Sequence, residues 1–262
     1  MLKSTSPLLS TQILRLTFIT SVLLLFAPVF PELFSSAYAQ GNVQQRLVDA
    51  WNSLFRSPPP RPRRGAGKGD GFCLVAPLNV APDTGFITTS PIFSDRPTFT
   101  WRSIPAAPDA PGAPVQIELR KDGDSTVLWS RPITAATQIN LPGSTSASGT
   151  PTPSIYQITS EIPLEPGQRY EWRIARRAIN TAWLPLQLVT MQERDRITQE
   201  LQTLNQQLAR QGVTGEAAIV RRADYFASQE LWSEFWREVL SVQNPSVELR
   251  TAIDRAFGLL CD

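Results

Sequence analysis

Apolar residues change their period once along this chain, near Thr190, and that switch restricts the folds open to it. Over residues 73–190 they alternate in short runs broken by Pro, Gly, Ser and Asp, which is the pattern of half-buried strands. Phe99 and Trp101 share one face of a run. Val115, Ile117 and Leu119 alternate with Gln116, Glu118 and Arg120 as far as Asp122-Gly123, where a tight hairpin with positive φ at both central positions is expected. The return strand carries Val127 and Trp129. Past a low-complexity loop at 142–154, Tyr156, Ile158 and Ser160 alternate again, and Leu164-Glu165-Pro166-Gly167 turns the chain into a strand with Tyr170, Trp172 and Ile174 on one face. A last strand is expected over 183–190, pushed toward an edge or a bulge by Pro185.

Beyond Thr190 the spacing becomes helical. Ile197, Leu201, Leu204 and Leu208 form a stripe that stops at Gln211-Gly212. Further helices are expected over 216–227 and over 230–242, the latter with Leu231, Phe235 and Val239 in line. Asn244 and Pro245 read as the cap and first-turn proline of a fourth, striped by Leu249, Ile253, Phe257 and Leu260. The expected class is α+β. An antiparallel immunoglobulin-like β-sandwich over 72–190 is followed by a C-terminal four-helix bundle or helical hairpins over 191–262.

Residues 1–39 carry the three parts of a cleavable secretory signal: basic Lys3 and Arg15, an apolar run over 16–30, and Ala37-Tyr38-Ala39. The alternative is a membrane anchor, but about 15 residues interrupted by Thr17, Thr20, Ser21 and Pro28 fall short of the roughly 20 that span a bilayer. The expected location is periplasmic or extracellular, with no transmembrane span in the mature form. Residues 40–56 place Val43, Leu47, Ala50, Trp51 and Leu54 at helical spacing, either for a membrane or partner or as a partly ordered leader. Residues 57–71 form a basic Pro/Gly-rich linker. Arg56, Arg61, Arg63, Arg64 and Lys68 are its candidate contacts for anionic envelope polymers.

The only cysteines are Cys73 and Cys261. In an oxidising compartment such a pair is more often bridged than free, with buried thiols and intermolecular pairing as the alternatives.

The chain contains no histidine, which excludes Ser-His-Asp and Cys-His catalysis and histidine ligation of zinc or haem. Gly65-Ala66-Gly67-Lys68-Gly69 follows no strand and is no phosphate loop. No cofactor is expected. A net charge of +2 argues against nucleic acid as the main partner. The enzyme route left is a carboxylate pair acting on a glycan, and Glu161, Glu165 and Glu171 cluster around one turn, although alternation puts them on solvent faces. Asp122 and Asp124 are better explained by a turn than by calcium. Trp101, Trp129 and Trp172 are expected in the core. Trp232 and Trp236 either widen a buried helix face or leave an aromatic patch for a partner. Arg176-Arg177 and Arg221-Arg222 read as solvated pairs.

The Pro97-Thr98-Phe99-Thr100-Trp101 run and the run from Leu164 to Ile174 resemble the second and penultimate strands of fibronectin-type or immunoglobulin-like modules. Ala217, Ala223, Tyr225, Phe226, Leu231 and Trp232 resemble a single tetratricopeptide-like hairpin. Taken with Gly71-Phe72-Cys73-Leu74-Val75-Ala76-Pro77, Arg96 to Trp101, Leu164 to Trp172, Tyr225-Phe226 and Leu231-Trp232, the chain over about 65–243 resembles a cyanobacterial exported family, the domain of unknown function 928. This chain departs from that pattern in lacking a cysteine soon after the Tyr170-Glu171-Trp172 strand and in having Cys261, which leaves the disulfide partner open. The resemblance implies a compartment and a fold but no reaction. The function expected is that of an exported, non-catalytic binding or scaffolding module for a cell-envelope protein or polysaccharide.

Overall fold

Phe72-Cys73-Leu74-Val75-Ala76 is an unbroken apolar run, and a strand built from it needs cover on both faces. The computed structural model, which describes residues 68–69, 72–81, 84–103, 115–139, 154–176 and 179–261, provides that cover. The segments expected to be a signal (1–39) and a helix (40–56), and all of the expected linker 57–71 except Lys68 and Gly69, lie outside the described residues.

In chain order the strands begin with β1 Lys68–Gly69, β2 Phe72–Ala76, β3 Asn79–Val80, β4 Ile87–Thr88, β5 Ser90–Ile92 and β6 Thr98–Ser103. They continue with β7 Gln116–Lys121, β8 Val127–Pro132, β9 Gln138–Ile139, β10 Ile155–Thr159, β11 Arg169–Arg176, β12 Ile179–Asn180 and β13 Leu184–Leu188. The α-helices follow: α1 Met191–Arg210, α2 Gly215–Ser228, α3 Trp232–Leu240 and α4 Val247–Cys261. The chain is therefore α+β.

The first sheet has the order β1-β2-β6-β10-β9 and is antiparallel throughout. The second runs β5-β13-β11-β7-β8, with β12 also on β11, and is antiparallel except where β5 pairs parallel to β13. That parallel pair corrects the edge expected for the last strand. Pro185 sits opposite Glu171 on β11, just ahead of the Leu186–Leu188 stretch that pairs with β5, so its missing N–H leaves no gap in that pairing.

Alternation decides which side chains meet. Leu74, Phe99, Trp101 and Ile158 of the first sheet share a core with Ile117, Leu119, Trp172 and Ile174 of the second. The rings of Phe99 and Trp172 lie 5.0 Å apart between centroids. The opposite face of the first sheet, with Cys73, Val75 and Ile155, belongs to a second core filled by Ile197, Val220, Phe226, Phe235, Trp236, Ile253 and Phe257 of the four helices. On β6 this double cover hides Thr98 and Thr100 as completely as Phe99 and Trp101. The buried hydroxyls find partners: Thr98 Oγ1 lies 3.0 Å from Thr159 Oγ1, and Thr100 Oγ1 accepts from Gln157 Nε2 at 3.3 Å. α3 lies on β2, β5 and β6, with α2 packed across it.

The Asp122-Gly123 hairpin is present but with a different turn. Only Gly123 has positive φ (75°), and the connection runs from Asp122 to Thr126, with Asp124 N–H donating to Lys121 O at 3.1 Å. A loop of this length makes the two-residue turn unnecessary, and it feeds a register shift that leaves Leu128 unmatched on β8. Lys68 and Gly69, expected in the linker, pair with β2 instead.

Helix ends follow local chemistry. Thr190 caps α1, its Oγ1 accepting from Glu193 N–H at 3.3 Å, with Glu193 at the third position as in a capping box. Ser246, not Asn244, caps α4: its Oγ accepts from Leu249 N–H and donates to Glu216 Oε1 at 2.6 Å, tying α4 to the first turn of α2. α3 begins later than expected because Glu230 is spent on ending α2. Its φ is 59°, Glu230 N–H donates to Ala227 O and Leu231 N–H to Phe226 O, which is a Schellman closure with a glutamate in the left-handed position. Relief of that conformation predicts that Glu230→Gly raises unfolding free energy by about 0.5–1 kcal/mol, the strain relieved less the added freedom of the unfolded chain. Urea titration of the two proteins checks it.

Cys73 on β2 and Cys261 at the end of α4 are bonded, S–S 2.07 Å, with Cα atoms 5.6 Å apart. Of the three states open to the cysteines, the intramolecular bridge is the one present.

Candidate functional site

Three carboxylates singled out for a glycan-cleaving pair each face a separate cation. Glu161 meets Arg131, Glu165 meets Lys121 at 3.6 Å, and Glu171 meets Arg120 at 2.6 Å. Glu161 and Glu165 are on the solvent face as expected. Glu171 points to the same outer side, but the residues clustered around it leave its side chain only 17% exposed. Asp122 pairs with Arg169, and Asp124 Oδ1 accepts from Thr126 N–H at 3.0 Å, a turn contact that lowers the Asp124 pKa. Trp101, Trp129 and Trp172 are core, and Trp172 Nε1 donates to Pro77 O at 2.9 Å.

Trp236 is 4% exposed, its ring against Phe235 and Phe257, so the partner-patch reading fails for it: the helix face is wide because α4 covers it. Trp232 is half-buried, edge-on to Phe235. Arg222 pairs with Glu238 at 2.8 Å, so it is not simply solvated. Arg56, Arg61, Arg63, Arg64 and the Lys68 side chain lie outside the described residues, as do Arg177 and the Arg176 side chain.

Two polar clusters were not foreseen. On the outer face of the second sheet the Trp183 ring lies between two guanidiniums, Arg120 at 3.9 Å and Arg173 at 4.2 Å. Each arginine also pairs with a carboxylate, Arg120 with Glu171 and Arg173 with Glu118, and the two pairs are directly opposed on β7 and β11. Since both charges are matched inside the cluster, it reads as a clasp on the sheet. Trp183→Ala is expected to cost about 1–2 kcal/mol from the two cation–π contacts, measured by chemical denaturation.

The second cluster lines a groove of about 450 Å³ between α1 and α2. Arg196, Gln199, Glu200, Thr203, Leu204 and Gln207 come from one face of α1, and Tyr225 faces them from α2. Arg196 holds it together, donating to Glu193, to Glu200 Oε1 at 2.6 Å and to Gln229 Oε1 at 2.8 Å. Tyr225 Oη donates to Glu200 Oε2 at 2.8 Å. Both Glu200 oxygens are thus engaged, and the Tyr225 hydroxyl followed by Arg196 holds its carboxyl below the usual range. Burial, and then the bond to Glu200, pushes the Tyr225 phenol up.

No family model, curated protein or solved structure matches the chain. The groove must therefore be judged on its own chemistry. Its titratable groups are committed to one another in their ordinary charge states, which suits a rigid lining and ill suits proton transfer. Among the described residues no group of three acidic or cysteine side chains is placed to hold a metal, and no helix is long and apolar enough to cross a membrane. The sequence shows the α1 stripe and Tyr225 but not the groove, because an Arg and a Glu four residues apart on one helix carry no sign of the second helix that meets them.

Proposed function

We propose that this chain is an exported, non-catalytic cell-envelope protein that binds a protein or polysaccharide partner through the α1–α2 groove. The observation that carries the reading is the Arg196–Glu200–Tyr225 lock, which fixes the lining before any ligand arrives and so lowers the ordering cost of binding. The Cys73–Cys261 bridge supports an oxidising compartment, in keeping with residues 1–39 as a cleaved signal. The likeness to the cyanobacterial family belongs to the same proposal.

The two sheets read as an immunoglobulin-like sandwich. With β2, β6, β10 and β9 as strands A, B, E and D, and β13, β11, β7 and β8 as G, F, C and C′, the order follows that fold. Tyr170 at the start of β11 accepts from Glu165 N–H at 3.0 Å, five residues upstream, as a tyrosine corner does. The helices read as a bundle built against its first sheet.

The test is affinity capture with the chain from Gln40 onward immobilised and envelope extract passed over it, beside a Leu204→Arg variant that blocks the groove. The reading expects a specific partner retained by the first and lost by the second. Equal recovery on both would sink it. N-terminal sequencing of the native protein should start at Gln40.

A further inference from the structure

The groove's lining narrows the ligand further, an inference that rests on the binding reading above. An anionic ligand needs a cation to receive it, and Arg196 is already bonded to two carboxylates and an amide. A peptide partner needs an apolar anchor pocket, whereas Leu204 and the half-buried Tyr225 ring are the groove's apolar surfaces. What remains is hydrogen bonding by uncharged groups. Gln199, Thr203 and Gln207 are exposed and four residues apart, so they stand as rungs about 6 Å from one another along one edge of α1. The two amides make no hydrogen bond among the described residues, and Thr203 Oγ1, which donates to Gln199 O at 2.9 Å, keeps lone pairs to accept with.

We infer that the groove takes a neutral, linear oligosaccharide laid along α1. Its hydroxyls exchange hydrogen bonds with Gln199, Thr203 and Gln207, and the C–H face of a sugar ring rests on Tyr225 and Leu204. Such a ligand has the two chemistries the lining offers, a donor–acceptor edge and an uncharged apolar face, and requires no free charge. Tyr225 takes its part with the ring, because its hydroxyl is held by Glu200.

The experiment titrates the mature chain with short neutral oligomers of glucose and of N-acetylglucosamine, followed by calorimetry and by NMR of the glutamine side-chain amides. The expected result is saturable binding by one series that is insensitive to added salt. It should weaken about tenfold in Gln199→Ala/Gln207→Ala, exposed positions whose change leaves the fold intact. Tyr225→Phe, which keeps the ring but frees Glu200, should weaken binding, and Tyr225→Ala, which removes the ring as well, should weaken it further. Absence of saturable binding by either series, equal binding by the double variant, or binding only of an anionic polymer that salt abolishes would each overturn the inference. If a protein partner is captured and lost with Leu204→Arg while no sugar binds, the glycan is refuted and the binding module stands.

Discussion

Unfolding of the Cys73→Ala/Cys261→Ala protein is expected to need about 3–5 kcal/mol less than that of the native chain. The bridge spans a sequence separation of 188 residues, so opening it releases a large loop in the unfolded ensemble, where the entropic stabilisation approaches about 5 kcal/mol. Both cysteines are buried, at 2% and 4% exposure, and alanine keeps each site apolar, so little is lost beyond the crosslink. Urea unfolding under non-oxidising and oxidising conditions checks the figure. Reduced native chain should fall to the stability of the double variant, while a double variant as stable as the oxidised protein would show that the bridge adds nothing.

The second large effect concerns Glu234. This residue of α3 is 1% exposed, and its Oε1 accepts from Phe93 N–H and Ser94 N–H, both at 2.9 Å. Its neighbour Ser233 donates to Thr98 O at 2.8 Å, so consecutive side chains pin α3 to the backbone around the β5–β6 connection. Glu234→Ala removes the acceptor from two sheltered amides and is expected to cost about 2–5 kcal/mol. Burial pushes the Glu234 pKa above its ordinary 4.5, against the opposing pull of the two amides and Arg237. A raised folded pKa means that the group's contribution is greatest below 4.5 and is lost as pH rises through the folded value. Glu234→Gln keeps an acceptor for both amides and cannot ionise. It should match the native chain in acid and exceed it at neutral pH, with the gap opening from about 4.5 upward. Unfolding midpoints across that range test the sign, and a gap that shrinks with rising pH would contradict it.

Glu234 also marks where one-dimensional reasoning stops. In sequence it is an ordinary acid in the first turn of a helix, and only the approach of the β5–β6 connection makes it a buried acceptor. Strands with one solvated face were legible, and so were the α1 stripe and its end at Gln211-Gly212, because local period and local caps carry them. β5 was not, since Ser90-Pro91-Ile92 is too short to alternate and finds its place by parallel pairing with β13, nearly a hundred residues away. Alternation puts Thr98 and Thr100 on the face opposite Phe99 and Trp101 but cannot say what covers that face, and helices do. Trp236 was ambiguous for a related reason: a helix stripe shows which residues cluster but not how many neighbours arrive to cover them. The groove required two helices to meet, and no spacing within α1 announces that.

The first sheet, walled by a core on each side, has a further consequence. A module of strands can ordinarily be cut from one chain and pasted into another, because its outer faces are content in water. Here Cys73, Val75 and Ile155 turn toward the helices, and Thr98 and Thr100 are sealed from solvent on β6. Strands transplanted without α1 to α4 would carry an oily face into solution. Strands and helices are inseparable cargo, and a truncation near Thr190, where the sequence changes period, should yield aggregate instead of a smaller protein.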